Sequence, residues 1–174
     1  MASEACVPPE PALVVLTRQQ IWYPCLVGTL SKMLHKYAEW EGKVHSDLGD
    51  RGGEDLDPWD QVESACTEYA VAHFLNRRFP GDYWSKTKTV DIPPDIEVRW
   101  TKHANGHLLI YEKDPPEFKV VLVTGKMPAY LIHGWTTVEV GKQLGTYGRL
   151  REDRPPCWKV PRSALLPIEE LVVR

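Results

Sequence analysis

The stretch Val90-Asp91-Ile92-Pro93-Pro94-Asp95-Ile96-Glu97-Val98-Arg99-Trp100-Thr101 constrains this chain more than any other. Side chains alternate across a strand, so Glu97, Arg99 and Thr101 fall on one face and Ile96, Val98 and Trp100 on the other. The paired prolines impose a turn before that strand, so the unit reads as strand, turn, strand. Asp91 lies on the first arm. A carboxylate and a cation then stand side by side beyond a second carboxylate, which is a pattern of chemical interest as well as of folding.

Upstream, the apolar spacing is helical. Residues 15–40 are predicted helical with Pro24 interrupting, and Leu26, Leu30, Met33, Leu34 and Tyr37 form one stripe. Residues 1–11 are Pro-rich and expected to fray. Residues 42–56 set Gly42, Gly49, Gly52 and Gly53 among acids and are expected to form a mobile loop. Asp57-Pro58 predicts a helix start, an N-cap acceptor followed by proline at the first helical position. That helix is expected to reach about Arg78, before Pro80-Gly81, with Val62, Ala65, Cys66, Tyr69, Ala72 and Leu75 as its apolar positions. Downstream, residues 89–92, 96–103 and 107–111 read as strands, the last two joined in a hairpin around Ala104-Asn105-Gly106. Residues 119–124 and 129–135 form a second hairpin around Gly125-Lys126-Met127-Pro128. A short helix over 138–144, a strand over 157–160 and a terminal helix or coil over 163–172 complete the pattern. Helices followed by a mainly antiparallel sheet make an α+β fold. Residues 1–56 are an N-terminal helical extension with an acidic loop, and residues 57–174 are the α+β core.

At 174 residues the chain is long enough for one domain with its own core. Residues 1–83 hold 7 Lys+Arg against 13 Asp+Glu, whereas residues 84–174 hold 14 against 11. The basic excess of the second half suits phosphate but is too small to demand nucleic acid. Cys6, Cys25, Cys66 and Cys157 show neither zinc spacing nor a disulfide framework, and Cys66 reads as a small buried apolar residue. There is no signal peptide pattern and no apolar run near ~20 residues. A reduced, cytoplasmic protein with no membrane partner is the expectation.

Glu68 borders the apolar face of the central helix, beside Ala65, Val71, Ala72 and Leu75. Desolvating a lone carboxylate costs several kcal/mol unless a cation or metal balances it, so Glu68 either reaches water or has such a partner. Glu63 reads as simply exposed. Asp91 reads as a turn cap or a ligand, and the turn role fits Asp95 better. In a two-residue hairpin Arg99 falls opposite Glu112, which offers an ion pair with no chemistry attached. Taken together, Glu68, Asp91, Glu97 and Arg99 have another use. Mg²⁺ prefers one or two carboxylates plus water and phosphate oxygens, and a neighbouring cation adds stabilisation to a phosphoryl transition state. His103, His107 and His133 are a rival set for Zn²⁺ or Ni²⁺, without a supporting carboxylate–histidine spacing. Trp84 and Trp100, with Lys86, Lys88 and Lys102 and with His103 nearby, are a candidate DNA-contacting surface. Trp59, Trp100, Trp135 and Trp158 are expected in the core.

The segment Glu63-Ser64-Ala65-Cys66-Thr67-Glu68-Tyr69-Ala70-Val71-Ala72, the pair Asp91-Ile92 and the triplet Glu97-Val98-Arg99 resemble bacteriophage-encoded, restriction-endonuclease-like proteins of the PD-(D/E)XK nuclease superfamily. Lys113-Asp114-Pro115-Pro116, Val121-Leu122-Val123-Thr124-Gly125 and the tail from Arg154 to Leu165 resemble the same group. The likeness spans about residues 57–170. It implies a restriction-endonuclease-like sheet flanked by helices and Mg²⁺-dependent or Mn²⁺-dependent hydrolysis of DNA. It implies Glu68, Asp91 and Glu97 as metal ligands and Asp91, Glu97 and Arg99 as the catalytic set. Arg99 stands where the superfamily carries lysine. A non-catalytic DNA-binding or phage accessory protein on the same fold is the alternative.

Overall fold

Strand β4 (Lys119–Lys126) organises the molecule because both of its faces are apolar. Val121 and Val123 enter one buried cluster with Ile96, Val98, Ala65 and Val71. Val120 and Leu122 enter a second with Leu108, Ile110, Val138 and Val160. An unbroken apolar run is the mark of a strand covered on both sides. Each fully buried Val or Leu contributes roughly 1.5–3 kcal/mol relative to exposure.

The computed structural model describes residues 7–40, 59–81, 90–150, 152 and 154–172. Around β4 lie β1 (Ala12–Val15), β2 (Ile96–Thr101) and β5 (Ala129–Thr137), in the order β1-β5-β4-β2. The β4–β5 and β1–β5 pairs are antiparallel, while β2 runs parallel to β4 from Ile96↔Lys119 to Thr101↔Thr124. Helices α1 (Arg18–Trp40) and α2 (Asp60–Phe74) contribute to the first cluster. The second cluster is shared with another sheet, β3 (Leu108–Tyr111), β7 (Cys157–Val160) and β6 (Thr146–Gly148), and with α3 (Val138–Leu144). Arg162–Ala164 and Ile168–Leu171 are 3₁₀ turns. The result is an α+β protein with one mixed and one antiparallel sheet.

The second hairpin, α3 and β7 lie where the sequence places them. The first hairpin does not form. β2 pairs with β4, and β3 crosses to the other sheet, where it pairs with β7. A turn does exist at its tip, with Gly106 N–H donating to His103 C=O at 2.9 Å. However, neither Asn105 nor Gly106 has the positive φ of a two-residue hairpin turn. Arg162 donates instead to the carbonyls of Ala104 and Gly106, pinning the turn from outside. The strand expected over 89–92 reduces, where described, to an Ile92–Ile96 bridge.

The helices also differ from expectation. β1 precedes α1, and a reciprocal cap starts the helix. Gln20 Oε1 accepts from Thr17 N–H at 2.8 Å, and Thr17 Oγ1 accepts from Gln20 N–H at 3.3 Å. The described part of the apolar stripe points outward, with Leu26, Leu30 and Met33 exposed, while Pro24, Val27, Gly28 and Ser31 are buried; the Leu34 and Tyr37 side chains lie outside the described ones. Gly28 explains the choice. A Cβ there would lie 2.6 Å from the Val62 Cα, so the smallest face of α1 is the one that lets α2 approach. α2 ends at Phe74 rather than Arg78, because Asn76 turns the chain at φ 50°. Trp59 is exposed at its start, whereas Trp135 is buried as expected. The acidic loop 42–56, Asp57-Pro58 and Trp84 lie outside the described residues.

Candidate functional site

The site begins at the Ile92–Ile96 bridge. The two residues exchange both backbone hydrogen bonds, at 2.9 and 3.0 Å, which sets Asp91 and Glu97 at the positions flanking the pair. Asp91 is buried, and its Oδ2 accepts from Val98 N–H at 2.8 Å. That bond ties the aspartate to the edge of β2. The alternation expected along β2 holds: Ile96 and Val98 are in the core, and Glu97 and Arg99 are half-buried on the other face.

Arg99 gathers the charges. Its Nη2 donates to Asp114 Oδ1 at 3.0 Å, and its Nη1 stands 3.8 Å from Glu97 Oε2. Its guanidinium carbon lies 6.0 Å from the centroid of the Tyr111 ring, within cation–π reach. Asp114 is itself fixed. Its Oδ2 accepts from Tyr111 N–H at 2.8 Å, and its N–H donates to Tyr111 C=O at 3.1 Å. Burial pulls the Arg99 pKa down, but the charges of Glu97, Asp114 and Asp91 outweigh it and raise the group above its ordinary value. Arg99 therefore stays protonated. Its Nε–H is buried and makes no hydrogen bond among the described residues.

The ion pair with Glu112 expected from the hairpin is replaced by the pair with Asp114. β3 leaves for the other sheet, and the turn after it brings Asp114 to the guanidinium. Asp114 and Tyr111 were not legible as site residues, because their approach to Arg99 depends on where β3 takes the chain. Asp114 accepts the Tyr111 N–H with one oxygen and holds Arg99 with the other. Glu68 is buried on α2, and its Oε1 accepts from Ser64 Oγ at 3.4 Å. α2 covers the Ile96/Val98 face of β2, whereas Glu97 and Arg99 share the opposite face with Asp114. Asp91 and Glu97 offer hard oxygen donors of the kind Mg²⁺ takes. No group of three or more His, Cys, Asp and Glu side chains placed to hold a metal ion occurs among the described residues.

Lys102 and His103 are exposed just beyond β2, and Lys86 and Lys88 lie outside the described residues. The histidines do not assemble. His103 and His107 are exposed, while His133 is buried with Nε2 2.7 Å from Thr124 Oγ1. Burial, with the nearby Arg162 charge, lowers the His133 pKa to about 4.

Glu63, expected to be exposed, is half-buried and engaged. Its carboxylate accepts from Tyr130 Oη–H at 2.7 Å and from Met127 N–H at 3.2 Å. Met127 and Tyr130 lie more than 60 positions away in the chain. Nothing in the local pattern around Glu63 announces either donor.

No helix among the described residues is long and apolar enough to cross a membrane. No protein-family model matches the chain, and comparisons with curated proteins and with solved structures return no match.

Proposed function

We propose that this chain hydrolyses phosphodiester bonds of DNA with a divalent cation, Mg²⁺ or Mn²⁺, on a restriction-endonuclease-like fold of the PD-(D/E)XK type, in a cytoplasmic setting. The observation that carries this reading is the convergence of Asp91, Glu97 and Asp114 on one permanently charged guanidinium at the edge of β2. Asp91 and Glu97, on the Arg99 side of β2, would hold the ion. Bound there, the ion supplies an activated water and offsets charge on the phosphate. Arg99 cannot act as a general base while its pKa is raised. It clamps a phosphate oxygen, and Asp114 and Tyr111 hold it in position for that. Lys102 and His103 extend the contact along the DNA backbone, with Lys86 and Lys88 the further basic groups that the sequence offers.

A second reading has its own observation. The 3.0 Å bond to Asp114 is a finished ion pair, which suits a DNA-binding or accessory protein without catalysis. The deciding measurement is cleavage of plasmid and single-stranded DNA with Mg²⁺, Mn²⁺ or chelator, by wild type and by Asp91→Asn. Asparagine keeps an acceptor for Val98 N–H and removes the charge. Cation-dependent cutting that Asp91→Asn loses supports the nuclease. Salt-sensitive binding without cutting selects the second reading, and equal cutting by both proteins rejects the site.

A further inference from the structure

Cys25 and Cys66 stand on facing turns of α1 and α2 with their sulfurs 3.7 Å apart. Both are free thiols. They flank the tight approach of Gly28 to Val62: Cys25 is one turn before Gly28 on α1, and Cys66 is one turn after Val62 on α2. A disulfide needs sulfurs at about 2.05 Å, so less than 2 Å of approach separates contact from a bond. Pro24, next to Cys25 and inside α1, has no N–H to donate, so this part of the helix carries one hydrogen bond fewer. The two thiols differ in access. Cys25 is half-buried and Cys66 fully buried. Burial also raises the Cys66 pKa, with the neighbouring Cys25 adding to it, which holds that sulfur as the thiol.

We propose that Cys25 and Cys66 are a reversible dithiol–disulfide pair, oxidised by a hydroperoxide, that joins α1 to α2 covalently. Cys25 gives its thiol proton to water, and its thiolate attacks one peroxide oxygen. The S–O bond forms, the O–O bond breaks, and the other oxygen leaves as an alcohol, or as water from hydrogen peroxide. The Cys66 sulfur then attacks the Cys25 sulfur. The S–S bond forms, the S–O bond breaks, and the departing hydroxide takes the Cys66 proton as water. Two thiols lose two electrons and the peroxide gains them. A small dithiol reverses the step by exchange. Met127, whose Sδ is 3.8 Å from Cys25 Sγ, gives the pair a soft, polarisable neighbour.

The test uses the full chain and hydrogen peroxide, with free thiols alkylated afterwards and the protein read by intact mass and tryptic mapping. The expected result is the loss of two hydrogens and a link between peptides 19–32 and 52–77, reversed by dithiothreitol. The oxidised protein should also melt at a higher temperature, because the bond closes a long loop in the unfolded chain. Cys66→Ser should stop at a Cys25 sulfenic acid that dimedone traps. If that variant does not fold, the peptide link in wild type remains the readout. Oxygen added at Cys25 of the wild-type protein without a link would overturn the pair, as would links through Cys6 or Cys157. None of these readouts depends on cleavage of DNA.

Discussion

Glu63 and Arg99 are both half-buried charged side chains, yet their surroundings are built in opposite ways. Glu63 is met by neutral donors, the Tyr130 hydroxyl and the Met127 N–H, and it holds α2 to the β4–β5 turn. Arg99 is met by charges, and three carboxylates raise its pKa against the effect of burial. The first arrangement satisfies polar groups and ends there. The second concentrates charge at the edge of a sheet, where a phosphate and a cation have something to bind. Burial and polarity alone do not mark a functional site; the kind of partner does.

The largest expected effect falls on the charged region. Arg99→Ala should reduce cation-dependent cleavage by at least about 10²-fold, the scale seen when a preorganised group facing transition-state charge is removed. Arg99→Lys should retain or raise cleavage, since it restores the superfamily's Glu-x-Lys order. Cleavage rate beside thermal melting decides this. Both variants cutting like wild type would make the Arg99 group as structural as Glu63.

Glu63→Ala should do the reverse. It leaves the Tyr130 hydroxyl and the Met127 N–H without their acceptor and should cost about 2–4 kcal/mol of stability in urea unfolding. Cleavage by the folded fraction should be unchanged. Activity lost in step with Arg99→Ala would erase the contrast between the two regions.

His133 is a third case, a titratable group held neutral. Its pKa is lowered from 6.5 to about 4 on folding. The unfolded chain therefore binds the proton more readily between those values. The stabilisation is complete above pH 6.5 and is lost as pH falls toward 4, by on the order of 1–3 kcal/mol. His133→Gln should flatten the melting profile across that window, and an unchanged slope would assign the titration elsewhere.

The smallest effect concerns the exposed groups beyond β2. Lys102→Ala should leave folding intact and lower the slope of log affinity for DNA against log salt by about 1. Binding titrations at several salt concentrations check this. An unchanged slope would place Lys102 outside the DNA path.

Local rules were enough for much of the fold. The alternation of β2 put Ile96 and Val98 inward and Arg99 outward, the turn before Ala129 joined β4 to β5, and Val138–Leu144 forms the short helix expected there. Each of these is decided within about ten residues. Asp91, Glu97 and Arg99 were legible as a unit for the same reason, because one bridge and one strand place them together.

Tertiary structure decided what depended on distant partners. Asn105-Gly106 carries a hairpin signal, but the apolar face of Leu108 and Ile110 is better buried with Val160 and Leu165 than beside β2, so the chain crosses to the second sheet. α1 buries the face with Gly28 rather than the face with Leu26 and Leu30, because helix approach is limited by the smallest residue at the contact. Asp114 reaches Arg99, and Tyr130 reaches Glu63, across separations that no local pattern records. Periodicity shows which side chains share a face; only packing selects the face that is covered and the charge that stands opposite.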